Sequence, residues 1–421
     1  MLIEKRKIIF VWDVFVVSIL TGGFAYLFAT GSGERSDGNL LFQLFTLICI
    51  GPAIFFYLAK NALKILSLFL RNWPLFLLCC WIVISAIWSA EASTSLRRSI
   101  SLFLCILYAL HLVAHYDSNG LFRLFYYASL VILLGTILSV ILGVGLHTND
   151  EHAGALKGFA GHKNSMGLLL AVGVILAFIN FTREKNFISF GVFVVFLSFL
   201  ISTGSQTSLG MCVVSLISYG LFNYQASGRI PFSRVKHAFT TRFAFTVSII
   251  LGGIAGAVSL FAVLVDISGR DLTFSGRNKI WNYALNVDSG SGAFGAGFKT
   301  FWIDYHTSDF FLFNPYWGGE KVTANGHSGY LDIYLELGLI GSILFLIFLV
   351  SYIKRIFYFK EDALNINIFA RVAGPLLIFS LLYNIFETSF LTPRMELLWF
   401  LFVVIYFYLG TINKKDTFVK K

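Results

Sequence analysis

The chain has 421 residues, is 57% hydrophobic and 17% aromatic, carries charge on only 13% of them, and has a mean hydropathy of +0.78. This composition excludes a soluble globular domain and a disordered chain, and it points to an integral membrane protein. The net charge of +10 reads as basic cytoplasmic loops, so no nucleic-acid partner is expected.

The first apolar stretch follows Glu4-Lys5-Arg6-Lys7 without a convincing cleavage site and reads as a retained helix rather than a signal peptide. Asp13 lies inside it, near enough to the N-terminal edge to be solvated. Apolar runs of about twenty residues then recur, too long for the strands of a β-barrel. They place spans at roughly 8–30, 39–59, 74–90, 99–115, 121–146, 165–182, 187–203, 207–224, 243–266, 328–353, 368–386 and 395–412. The expected fold is an all-α polytopic membrane protein of about 12 transmembrane helices, with one long periplasmic loop between helices 9 and 10. Three parts follow: an N-terminal bundle (1–266), a periplasmic catalytic loop (267–327), and C-terminal helices with a cytoplasmic tail (328–421).

With the N-terminus placed in the cytoplasm, inside segments hold 21 of the 32 lysines and arginines and outside segments 11. Five of those eleven lie in the long loop, so the short outside loops are poor in positive charge, as the positive-inside rule requires. Both termini then face the cytoplasm. The cysteines Cys49, Cys79, Cys80, Cys105 and Cys212 all sit in apolar runs without zinc-ligand spacing, and the histidines show no metal spacing either.

Four outside segments hold candidate chemistry. Trp88-Ser89 to Arg97-Arg98 leads into the fourth span, and Gly161-His162-Lys163-Asn164 stands at the mouth of the sixth. Polar clusters at a membrane edge line cavities, or else cap a helix, with Asn164 as N-cap and Lys163 as headgroup anchor. A tight turn, Ser202 to Ser208, joins spans seven and eight. The long loop carries Arg270 and Arg277, whose planar forks suit diphosphate oxygens but also suit pairing with Asp266 and Asp271 or with lipid headgroups. Its aromatic run, Phe298 to Trp317 with Trp302 among it, is either a glycan-contacting surface or an interfacial belt.

The loop ends at His327, where the helix bearing Asp332 and Glu336 begins. A neutral imidazole there suits a general base acting on a hydroxyl; the plain alternative is a capping histidine. Asp332 and Glu336 share one helix face, one to orient the site and the other to tie the helix to its neighbours. The glycines Gly292, Gly295 and Gly297 have neither P-loop nor dinucleotide spacing.

At these residues the sequence resembles the superfamily of O-antigen ligases and polymerases, closest to its exopolysaccharide-polymerase branch. The resemblance is carried by Gly276-Arg277 with Ile280-Trp281, by Gly295-Ala296-Gly297 with Phe301-Trp302, and by His327 through Gly341. The segments around Arg97-Arg98 and His162-Lys163-Asn164 resemble the polymerase branch. The resemblance implies a bacterial inner-membrane enzyme, an inverting, metal-independent glycosyltransferase without a cofactor. Its donor would be an oligosaccharide on undecaprenyl diphosphate and its acceptor a second lipid-linked glycan. A co-polymerase that sets chain length is a candidate partner.

In that reading His327 and Arg277 are catalytic, and Arg270, His162, Lys163, Asn164, Arg97, Arg98, Trp302 and Glu336 bind substrate. Alanine at His327 or Arg277 is expected to abolish product with protein level unchanged. Many ligases of the superfamily carry an arginine in a Ser-x-Ser-Arg turn where this chain has Gln206. This departure favours a polymerase of exopolysaccharide or O-antigen repeat units over the alternative, a ligase acting on lipid A core. A lipid-linked oligosaccharide flippase is a third reading, disfavoured by the absence of repeat symmetry.

Overall fold

The computed structural model describes residues 2–28, 40–148, 152–226, 277–286, 292–303, 325–357 and 368–418. The described residues fold as helices joined by turns, with no strand among them beyond an isolated bridge between Leu146 and Leu156. In chain order the helices are α1 (Leu2–Ser18), α2 (Leu40–Arg71), α3 (Trp73–Ile84), α4 (Ala92–His115), α5 (Ser118–Ile141) and α6 (Lys163–Glu184). They continue with α7 (Phe187–Ser202), α8 (Gln206–Ala226), α9 (Arg277–Asn286), α10 (Gly329–Phe357), α11 (Ile368–Phe386) and α12 (Leu397–Phe418).

Among the described residues, four helices are long and apolar enough to cross a membrane: α4, α5, α6 and the segment Gly329–Ile356. Shorter apolar helices lie at Phe42–Phe56, Trp73–Ile87, Phe187–Ser202, Arg371–Phe386 and Leu397–Thr411. The protein is therefore a polytopic helical membrane protein. The expected ninth span, 243–266, falls outside the described residues, as does Arg270.

Local chemistry explains where several helices start and stop. Asp117 accepts the Gly120 amide at 2.8 Å to cap α5, and Asn186 accepts the Ser189 amide at 2.8 Å to cap α7. The expected first span is not one helix. Gly22, at φ +95°, kinks a π turn over Ile19–Gly23, and a 3-10 turn follows at Ala25–Phe28. The second expected span also differs, since α2 continues to Arg71 and tolerates Pro52 within it. Asp13 is not solvated: it is 1% exposed and accepts hydrogen bonds from the hydroxyls of Tyr108 (2.7 Å) and Tyr116 (2.6 Å). Packing of α1 along the bundle buries that carboxylate, and the two tyrosines meet its hydrogen-bonding need.

Helices α6 and α12 run through the core. Small residues let α6 approach its neighbours closely: a Cβ on Gly173 would run into the Phe196 ring of α7, and one on Gly167 would meet Ser205 and Ser208 at α8. From α12, Phe402 stacks on Tyr352 of α10 at 4.3 Å between ring centroids.

Helix α10 is broken at Gly338, whose φ of +68° and ψ of −168° lie in a region open in practice to glycine alone. A break strands backbone groups, and the segment 292–297 supplies their partners. The Leu339 and Ile340 amides donate to the carbonyls of Gly292 (3.0 Å) and Ala293 (3.2 Å). In return the Ala296 and Gly297 amides donate to the carbonyls of Leu335 and Glu336, both at 2.9 Å. A Cβ on Gly338 would strike the Ala293 carbonyl, and one on Gly295 would strike the Glu336 backbone. Gly295 thus seats this segment in the break, while Gly297, at φ +104°, lets the chain pass against Ser89. Gly338→Ala is expected to unseat it at a cost of about 2–4 kcal/mol. A fall in melting temperature of detergent-solubilised protein checks this; an unchanged melting temperature contradicts it.

Candidate functional site

At one end of the bundle, α3 and α11 finish where α4, α6, α10 and α12 begin, and the short helix α9 brings Arg277 and Trp281 to this end. The organising side chain there is Glu387, the residue that follows α11. Its Oε1 accepts from Nη2 of Arg277 at 2.6 Å and from Nδ2 of Asn164 at 2.8 Å. Its Oε2 is 3.2 Å from Nδ1 of His327, and its backbone carbonyl accepts the Gly329 amide at 3.1 Å. Three residues singled out from the sequence, far apart along the chain, meet on this one carboxylate.

The side chains of Arg277 and Glu387 are 10% and 8% exposed, whereas that of His327 is 26% exposed. The pair is thus sunk into the protein, with the imidazole as its accessible edge. Burial alone would raise the Glu387 carboxyl, but the hydrogen bond and charge of His327 and the charges of Arg277 and His162 outweigh it and hold it below the usual range. Its contribution to stability is complete above the ordinary carboxylate value of 4.5 and is lost as pH falls through the lower folded value.

A second carboxylate fixes the loop to α10. Asp332, 1% exposed, accepts from the Trp302 indole (2.8 Å), the Gly326 amide (2.9 Å) and the Thr388 hydroxyl (2.6 Å). The Trp281 indole of α9 donates to the Gly326 carbonyl at 2.7 Å. These bonds bracket His327, whose backbone is held at φ +45°, a conformation uncommon for a residue with a side chain. Trp302 is 8% exposed and edge-on to Phe301, so it forms part of the wall rather than an open stacking surface.

On the α3–α4 side, Glu336 is 2% exposed and pairs with Lys299 at 3.4 Å. Arg98, half-buried, donates to the carbonyl of Lys299. Trp88 donates to the Gly295 carbonyl at 3.0 Å, and Ser89 shares a hydrogen bond with Thr300 at 2.9 Å. Arg97, one position earlier on α4, is exposed. The α6 cap is His162, which accepts the Asn164 amide at 3.2 Å, so Asn164 is not the N-cap and its side chain is directed to Glu387. The rings of His147, His152 and His162 pack edge to face with centroids 5.8–5.9 Å apart. Lys163 is half-buried in the first turn of α6. Among the described residues, no group of three or more His, Cys, Asp or Glu side chains is arranged to hold a metal ion.

Glu396, just ahead of α12, is a fourth carboxylate at this end, and burial pushes it up to about 7 against the opposing pull of Arg394 and Lys299. A raised carboxyl costs stability once ionised, so the cost is absent below 4.5 and complete above about 7. Glu396→Gln is therefore expected to gain roughly 2–3 kcal/mol at pH 8 and little at pH 4.5. Thermal denaturation of the two proteins across that range checks this; equal stabilisation at both pH values contradicts it.

Neither Glu387 nor Lys299 is prominent in the sequence. The available signal for Glu387 was its position: a lone acid at the end of an apolar span, ahead of a short turn that also contains Arg394 and Glu396.

No protein-family model matches the chain. Over 277 residues, 64% of its length, it is 24% identical to "Exopolysaccharide production protein ExoQ" of Rhizobium meliloti (strain 1021). The match covers 61% of that relative, so the chain spans under two thirds of its length.

Proposed function

We propose that the protein polymerises exopolysaccharide or O-antigen repeat units carried on undecaprenyl diphosphate, by glycosyl transfer at the periplasmic face of a bacterial inner membrane. The observation that carries this reading is the convergence of Arg277 and His327 on Glu387 at one end of a membrane bundle. It places a permanent cation beside a candidate base, the two groups this transfer needs. The likeness to an exopolysaccharide production protein supports the substrate class. Gln206, where a ligase of the resembled superfamily has arginine, favours polymerisation over ligation to lipid A core.

In the reaction, an acceptor hydroxyl attacks the anomeric carbon of the donor glycan. The new C–O bond forms as the bond to the diphosphate breaks, and that electron pair departs with the lipid diphosphate. His327 takes the hydroxyl proton. A guanidinium carries five N–H donors, so Arg277 keeps its bond to Glu387 while other donors hold the departing diphosphate. Arg98, Lys163, Arg270 and Arg97 are further proposed contacts to lipid-linked substrate, and His162, Asn164, Trp302 and Glu336 shape its place.

Deletion of the gene in its native host tests the biological role. A polymerase predicts loss of long polymer with single repeats still transferred to acceptor. Unattached long polymer would indicate a ligase, and lipid-linked units trapped on the cytoplasmic side a flippase.

A further inference from the structure

Glu387 touches both proposed reacting groups yet stands in a separate part of the chain, at the junction of α11 and the turn before α12. Its two oxygens are divided between them: Oε1 faces Arg277 and Asn164, and Oε2 faces Nδ1 of His327. The carboxylate is held ionised by its surroundings, and an ionised carboxylate accepts hydrogen bonds without donating any. The proton between Glu387 and His327 therefore belongs to Nδ1, so that in the neutral ring Nε2 is the acceptor atom.

From this geometry we infer that Glu387 is a positioning residue for glycosyl transfer, setting the tautomer and angle of His327 with one oxygen and the place of Arg277 with the other. The inference rests on the glycosyl-transfer reading given above. When Nε2 takes the acceptor proton, the ring becomes an imidazolium whose charge lies against the Glu387 carboxylate, so the carboxylate stabilises charge that develops during transfer. Glu387 stays unprotonated throughout. The proton leaves Nε2 for water or for the released diphosphate, and the ring returns to its starting tautomer.

Three features argue against a merely structural ion pair. A buried Arg–Glu pair needs no third partner, yet the second oxygen is spent on the histidine at 3.2 Å. His327 keeps its other edge accessible, with 26% of the side chain exposed. Asn164 fills the remaining valence of Oε1, so the carboxylate is clamped and cannot rotate away from the ring.

The test is the rate of repeat-unit transfer by the full-length protein in liposomes, with lipid-linked repeat units as both donor and acceptor. Wild type, Glu387→Gln, Glu387→Asp and Glu387→Ala are compared at several pH values, the last with and without added formate. Glu387→Gln is expected to lower kcat roughly 10²–10³-fold with a smaller change in KM. Glu387→Asp, which keeps the charge, is expected to recover part of that loss, and formate to restore turnover to Glu387→Ala. A Glu387→Gln enzyme with wild-type kcat and pH profile, beside an inactive His327→Ala control, overturns the inference and leaves the reaction assignment standing. Equal losses in Gln and Asp variants without formate rescue reduce Glu387 to a structural pair and also overturn it. Absence of transfer by wild type on substrate that another polymerase extends removes the reaction assignment, and the inference with it.

Discussion

Replacing Arg277 with alanine is expected to abolish transfer and to destabilise the protein by about 3–5 kcal/mol, because it leaves the buried Glu387 carboxylate without its cation. The side chains are 10% and 8% exposed and 2.6 Å apart, so little water is present to take over the role of the guanidinium. This revises the expectation from sequence alone that the variant would accumulate at normal level. The double variant Arg277→Ala, Glu387→Gln separates the two effects. Removing the charge as well as its partner is expected to restore most of the stability while transfer stays absent. Melting temperatures of the solubilised proteins give the first comparison, and product formation at matched protein level gives the second. A stable single variant would show that Glu387 finds another cation, for which Lys163 or Arg394 would be the groups to test.

His327→Ala is expected to behave differently. The imidazole is 26% exposed and contributes one hydrogen bond to Glu387, so its loss should cost about 1 kcal/mol in stability. Loss of a general base is expected to lower the transfer rate by 10² to 10⁴-fold, roughly 3–5 kcal/mol of barrier. Donor binding should survive, since Arg277, Glu387 and Asn164 keep their mutual bonds. Binding of lipid-linked donor to the variant, set beside its turnover, checks both halves. A variant that neither binds nor turns over would place His327 in donor recognition instead.

Much of this architecture was legible in composition, because a helix that crosses a membrane must be uniformly apolar over about twenty residues. The breaks were not. Gly22 and Gly338 lie inside apolar runs and look like tolerated helix glycines; their positive φ depends on what packs against them. The partner of Gly338 lies more than forty residues earlier, at 292–293. The glycines of that segment matched no phosphate-binding spacing, and the use of Gly295 is to let two backbones touch.

At the candidate site, His327 and Asn164 stood out because a hydrogen-bonding group at the mouth of an apolar span is conspicuous, and Arg277 because a guanidinium fork in a long polar loop suits diphosphate oxygens. Their convergence could not be read, since the residue joining them is 60 positions from His327 and 110 from Arg277. Trp302 shows the converse: an aromatic residue in a polar loop suggests a sugar platform, whereas its indole is tied to Asp332 and its ring buried. Asp13 shows the same limit for a carboxylate near a span end, where sequence position suggests solvation and helix packing decides it.

The most direct test of the account is a reaction of purified protein with lipid-linked repeat units, resolved as a gel ladder, with His327→Ala run alongside. The account predicts a ladder of successive repeats from wild type and none from the variant. A ladder of equal length from both would contradict the assignment of His327, and no ladder from wild type on substrate that a known polymerase extends would contradict polymerisation itself.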